Sequence, residues 1–299
     1  MALRNLEWRA RVVVEGFWSG MHRSPYHGFS VEFTEYREYT PGDDLRYLDW
    51  RLLGRSDRHF IKRFEDETNL RCHLLVDRSR SMDFGSTGYT KAAYAATLAA
   101  SMAYLLHGQG DATGLLTFDE TVRDYLPARH RRTHLRRLLL ALEAASGGRD
   151  TDLVAPLQRA AEIIRKRGVV VLISDLLAPV DRLERSLQVL AAMGHEVTLF
   201  QVLDPVELTL NLAQAGWLED VETGRLLYVD PEQARARYRE RFEEHTAHVR
   251  RMCERLGILL HRLSTDQPLE VALAAFLRDR SRMPRAVRRA RGGRAAGVA

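Results

Sequence analysis

The sequence predicts an α/β fold of Rossmann type, a doubly wound and mostly parallel sheet flanked by helices. From Arg71 onward, short apolar runs alternate with stretches that repeat apolar residues at helical spacing, the alternation that strand–helix–strand crossovers require. The runs are also compact and mostly rich in branched residues, which favours strand over helix. Five strands are read: RCHLLVD (Arg71–Asp77), ATGLLTF (Ala112–Phe118), VVVLISD (Val169–Asp175), EVTLFQVLD (Glu196–Asp204) and GILLHRL (Gly257–Leu263). Amphipathic helices are expected over Lys91–His107, His134–Ala145, Leu153–Arg167, Arg182–Met193 and Pro231–Leu256. One insertion, WLEDVETGRLLYVD (Trp217–Asp230), reads as a peripheral β-hairpin turning at Glu222–Gly224. Residues 1–70 form a small N-terminal element, with a helix-like start followed by dense interleaving of aromatic and charged side chains. Residues 71–280 form the main domain. Residues 281–299 form an arginine-rich tail without apolar periodicity, which is expected to be disordered.

Composition narrows the function classes. With 299 residues, 45% hydrophobic and 28% charged, the chain can bury a substantial core. No apolar stretch approaches the roughly 20 residues of a membrane-spanning helix. The start, MALRNLEWRARVVVEGF, places Glu7, Arg9, Arg11 and Glu15 where a secretory signal needs an apolar centre, so a cytoplasmic location is expected. Cys72 and Cys253 are too few and too far apart for a disulfide framework or a thiolate metal site, in keeping with a reducing compartment, and read as small half-buried side chains. The pI of about 9.4 would suggest a nucleic-acid partner if the charge were spread over the fold. It is concentrated instead: from Arg278 to the end, eight arginines against Asp279 carry +7 of a total of +5, so the body of the chain is slightly acidic. No specific nucleic-acid partner is expected.

The chemistry concentrates at three predicted strand-end loops. Asp77-Arg78-Ser79-Arg80-Ser81 follows the first strand of the main domain as a D-x-S-x-S pattern, Thr151 stands in GGRDTDL just before a helix, and Asp175 ends VVVLISD. In open parallel sheets the functional crevice lies outside the carboxyl ends of the strands, so side chains in these loops converge. All five residues are hard oxygen donors. Mg2+ favours near-octahedral oxygen ligation and keeps several waters, so hydroxyls from Ser79, Ser81 and Thr151, with Asp77 and Asp175 acting directly or through water, suit it; Mn2+ and Ca2+ are the alternatives. Because hydroxyls are neutral, the cation stays electrophilic enough to take an external carboxylate, the chemistry of adhesion rather than turnover. The competing reading is a serine-rich helix cap.

These residues resemble the von Willebrand factor A superfamily, whose metal ion-dependent adhesion site is D-x-S-x-S, then a Thr, then an Asp. Within it, Glu32, Arg37, Tyr39, Gly42, Asp43, Asp44, Arg46, Asp49 and Trp50, together with DRSRSMDFG, resemble domain-of-unknown-function family 58, over about residues 10–280. The resemblance implies a von Willebrand factor A-like fold and a bacterial protein encoded near a MoxR-type AAA ATPase. That ATPase, or its client, would supply the Asp or Glu that completes the metal shell. Some members carry transmembrane helices ahead of the common region, and no such anchor is carried over.

Other candidates have plainer readings. Asp43, Asp44 and Asp49 stand close to Arg37, Arg46 and Arg51, which favours a structural ion-pair network over a second metal site. Aspartyl phosphoryl transfer from Asp77 is the enzymatic alternative, but the position two residues on is Ser79 rather than an acid, and no lysine stands on the following strand to screen a phosphate. No G-x-x-x-x-G-K-[ST] loop exists either, so the chain is expected not to be an enzyme. His130 and His134 read as a solvated helix start, and His245 and His248 as surface residues. The arginine tail supplies charge without aromatic stacking, which allows weak polyanion contact at most.

Overall fold

The computed structural model describes residues 6–23, 35–38, 60–63, 70–144, 153–210, 216–219 and 226–282. Within them, α1 (Leu6–Arg23) and a two-stranded antiparallel pair, β1 (Glu35–Glu38) with β2 (Phe60–Arg63), precede the main domain. The domain then runs β3 (Arg71–Asp77), α2 (Lys91–Gly108), β4 (Ala112–Phe118), β5 (Val122–Arg129), α3 (Arg132–Glu143), α4 (Val154–Ile163), β6 (Val169–Ser174), α5 (Val180–Ala192), β7 (Glu196–Leu203) and a short α6 (Pro205–Thr209). After the hairpin β8 (Gly216–Glu219) and β9 (Leu226–Val229), the chain closes with α7 (Pro231–Leu256), β10 (Leu259–Ser264) and α8 (Leu269–Arg282).

The six-stranded sheet has the order β10-β7-β6-β3-β4-β5, parallel except for the antiparallel edge strand β5. The chain leaves β3 toward β4 on one side and returns to β6 on the other, so strand order reverses at β3. Period-two alternation sorts the side chains into two cores. Leu74, Val76, Val171, Ile173, Phe200 and Val202 face α1, α2, α3 and α8, while Leu75, Val170, Leu172, Val197 and Leu199 face α4, α5 and α7. With helices on both faces, the central strands are apolar along their whole length. The N-terminal helix belongs to this packing: Leu6, Ala10, Val14 and Phe17 are buried in the first core.

All five expected strands form, within two residues at their ends, and the five expected helices form too, although the one expected over Leu153–Arg167 ends at Ile163. β5 and α8 were not anticipated. β5 carries Pro127 and is only half-covered, as an edge strand that need not satisfy every N–H can be. The hairpin forms with Trp217, Leu226 and Tyr228 exposed; its expected turn at Glu222–Gly224 lies outside the described residues, as do Asp43, Asp44, Asp49 and the tail from Met283. Both cysteines are fully buried free thiols rather than half-buried ones. Among the described residues, no helix is long and apolar enough to cross a membrane.

One buried histidine ties the sheet to pH. His73 on β3 lies against Gly114 of β4, where a Cβ would come within 2.9 Å of the His73 Nδ1, so the glycine makes room for the ring. Burial, then repulsion from His195 and Arg71, pushes His73 from 6.5 down to about 4. Between those values the unfolded chain binds a proton there and the folded chain does not, so stability falls as pH drops from 6.5 toward 4 and this contribution levels off below. Urea unfolding at pH 7 and pH 4.5 is expected to show His73→Leu losing roughly 2 kcal/mol less stability across the interval than the unsubstituted chain. Equal losses would show that His73 does not titrate this way.

Candidate metal centre

The site lies at the reversal of strand order, outside the carboxyl ends of β3 and β6, where such a sheet opens a crevice. Asp77 ends β3 and is fully buried. Its Oδ1 accepts the Ser79 N–H at 2.9 Å and its Oδ2 accepts the Ser174 hydroxyl at 2.6 Å. Asp175 follows β6 and is equally buried. Its Oδ1 accepts the Leu177 N–H at 3.2 Å, and its Oδ2 accepts from Lys91 Nζ at 2.9 Å. Burial, with the charge of Asp175 added to it, raises Asp77 well above the ordinary carboxylate value, while the bonds from Ser174 and Ser79 pull the other way. Two carboxylates thus share one dry place.

Ser79 and Ser81 sit above them on the loop that enters a 3-10 turn over Arg80–Asp83. Ser79 occupies the N-cap position of that turn, yet its side chain makes no capping bond. Instead its Oγ lies 3.1 Å from Ser81 Oγ. The cap of the following helix α2 is Thr90, whose hydroxyl accepts the Ala93 N–H. The serine-cap reading therefore fails, and the two hydroxyls are paired with each other on the loop that Asp77 anchors. Arg78 fixes the loop from below by donating to the carbonyls of Ala141 and Leu142, at the C-terminal end of α3. Thr151 lies outside the described residues. Leu153, which leads into α4, is buried in the second core.

A lysine completes the cluster, and the sequence reading passed over it. Lys91 opens α2, and its ammonium is fully buried, with Asp175 on one side and Glu207 Oε1 at 2.5 Å on the other. Burial would lower Lys91, but Asp175 and then Glu207 outweigh that and hold it above its ordinary value. Glu207 also accepts the Asp204 N–H at 2.9 Å, as the second half of the capping box of α6. Asp204 in turn accepts the Ser86 N–H at 2.8 Å and the Ser86 hydroxyl. A signal for Lys91 was present. It is the one Lys, Arg, Asp or Glu in the 18-residue helix KAAYAATLAASMAYLLHG, and it stands at the N-terminal end, where the helix dipole disfavours a cation.

Two histidines also differ from their reading. His134 is buried and bonded through Nε2 to the Thr113 carbonyl at 2.9 Å. His245, half-buried on α7, bonds through Nε2 to the Leu176 carbonyl at 2.9 Å and so supports the loop that presents Asp175.

The donor set fits a hard divalent cation: a hydroxyl pair 3.1 Å apart beside two buried carboxylates whose mutual repulsion a cation would relieve. Among the described residues, no group of three or more His, Cys, Asp or Glu side chains is placed to hold a metal.

A doubly wound, mostly parallel sheet with a D-x-S-x-S loop at its strand reversal and an acidic residue beyond the adjoining strand gives the chain a von Willebrand factor A-like fold. The family model described as a protein of unknown function, DUF58, matches residues 35–251, and the chain belongs to that family. It is 32% identical over 287 residues to the uncharacterized proteins Rv1480 of Mycobacterium tuberculosis and Mb1516 of Mycobacterium bovis, covering 94% of this chain and 89% of each relative. Similar solved structures include an aerotolerance-related membrane protein of Bacteroides fragilis, at 14% identity and a TM-score of 0.47 over 72% of this chain and 100% of that one. The von Willebrand factor A domain of SpRpn10 is similar at 12% identity and a TM-score of 0.42, over 70% of this chain and 95% of that one.

The buried charges make a stability prediction. Asp175→Asn leaves the Lys91 ammonium with Glu207 alone and is expected to cost about 3–5 kcal/mol in metal-free buffer, as breaking a buried pair does. Ser81→Ala, at the half-exposed rim, is expected to stay within about 1 kcal/mol of the unsubstituted chain. Urea unfolding in the presence of EDTA measures both, and a small loss for Asp175→Asn would show that the fold does not need this pair.

Proposed function

We propose that the chain is a non-enzymatic, metal-dependent protein-binding adaptor that engages an Asp or Glu side chain of a partner through this site. The observation that carries the reading is the Ser79–Ser81 hydroxyl pair, turned toward each other rather than used as a cap, beside the buried Asp77 and Asp175. Mg2+ or Mn2+ suits these donors, with Ca2+ as a less demanding alternative. Ser79 and Ser81 are the direct ligands, Thr151 completes the shell, and Asp77 and Asp175 supply negative charge through water. When bound, the cation supplies an electrophilic centre that accepts an external carboxylate.

The same geometry argues against phosphoryl transfer. A nucleophilic carboxylate must be reached by its substrate, whereas Asp77 is fully buried and held in place by Ser79 and Ser174. The lysine that such chemistry would need is present as Lys91, but it is enclosed between two carboxylates. The partner assignment rests on the family resemblance: a MoxR-type AAA ATPase, or a client of it, met in the cytoplasm.

Titration calorimetry with MgCl2, MnCl2 and CaCl2 tests the site. The chain is expected to bind close to one equivalent, and a folded Ser79→Ala, Ser81→Ala double variant is expected to lose that binding. Equal binding by both proteins would place any cation elsewhere.

A further inference from the structure

We propose that Lys91 is a resident counter-ion of the metal centre: by holding Asp175 Oδ2 it keeps that carboxylate out of direct contact with the cation and makes tight metal binding depend on a partner's carboxylate. The inference rests on the metal-binding reading above and extends it to a residue outside the D-x-S-x-S, Thr, Asp set.

Asp175 and Glu207 converge on a single ammonium, and Asp77 lies close enough to Asp175 for their charges to repel. Lys91 reaches both Asp175 and Glu207 with its side chain fully buried, so water screens neither contact. Its place in the helix offers no other reason for a cation. The first turn of α2 disfavours positive charge, and the helix beyond it has no other Lys, Arg, Asp or Glu. Both Asp175 oxygens already accept a bond, Oδ2 from Lys91 and Oδ1 from the Leu177 N–H, so direct ligation of a metal has to compete with a buried ammonium for the same carboxylate.

Among the described residues no cation pairs with Asp77, which is held by Ser79 and Ser174 instead. A divalent ion facing two hydroxyls and one uncompensated carboxylate is held weakly. A carboxylate supplied from outside restores the missing charge, so metal and partner bind together. Glu207 sets the strength of this arrangement, because it shares Lys91 with Asp175 and is itself fixed by the capping box of α6.

Two substitutions should therefore move metal affinity in opposite directions. Lys91→Met frees Asp175 and is expected to tighten MnCl2 and MgCl2 binding, measured without any partner, by about tenfold or more. Glu207→Gln leaves Lys91 to Asp175 alone and is expected to weaken binding by about threefold or more, while glutamine can still accept the Asp204 N–H and keep the capping box. Calorimetry reads the affinities. Thermal unfolding provides a second measure, since Lys91→Met should gain more in midpoint from MnCl2 than the unsubstituted chain does.

Opposite shifts support the proposal. If the unsubstituted chain binds metal and both variants bind within twofold of it, the counter-ion role is overturned while the metal centre stands. If Lys91→Met does not fold even with metal, Glu207→Gln decides alone, and unchanged or tighter binding there overturns the proposal. Failure of the unsubstituted chain to bind either metal overturns this inference together with the reading on which it rests.

Discussion

Two carboxylates buried at the ends of neighbouring strands are the constraint around which this end of the molecule is arranged. Asp77 and Asp175 are both inaccessible to water, so their charges cannot be dispersed and have to be met locally. The Ser174 hydroxyl and the Ser79 N–H meet the first, and the Lys91 ammonium meets the second. Lys91 in turn needs Glu207, Glu207 is held by the start of α6, and Asp204 at that corner holds Ser86. The loop after β3, the first turn of α2 and the corner after β7 are thus linked by one run of polar contacts.

The fold makes this burial achievable. Helices on both faces of the sheet keep water from the strand ends, and the reversal of strand order at β3 brings the loops after β3 and β6 side by side. The loop after β6 also holds a strained residue. Leu176 has φ 57°, a left-handed conformation that costs a side chain with a Cβ about 1–2 kcal/mol. Its N–H is bonded to Ser174 Oγ and its carbonyl to His245, so the strain is fixed from both sides. Strain of this kind is common where a backbone is bent to present a side chain. Here it turns the chain away immediately after Asp175.

Much of the architecture was legible in the sequence because the central strands are covered on both faces and so read as unbroken apolar runs, as VVVLIS does in β6. β5 was not legible because an edge strand with a proline and one open face lacks that signature. The D-x-S-x-S loop and Asp175 were found because a strand end followed by hydroxyl and acidic residues is a local pattern. Lys91 and Glu207 were missed because their meeting is not local: they are 116 residues apart and belong to different crossovers. Only the misplaced charge at the start of an otherwise uncharged helix hinted at the first, and the D-x-x-E capping box at the second. His134 and His245 were misread for a related reason, since each bonds to a carbonyl on a distant element that periodicity does not reveal.

The most direct test is a crystal structure of the chain grown with Mn2+, located by its anomalous scattering. A manganese peak in contact with Ser79 Oγ and Ser81 Oγ, with Lys91 still bonded to Asp175, is the result expected of a serine-based metal centre with its own internal counter-ion. A peak ligated directly by Asp175 with Lys91 displaced, or no peak beside the serines at a concentration that saturates binding, would contradict it.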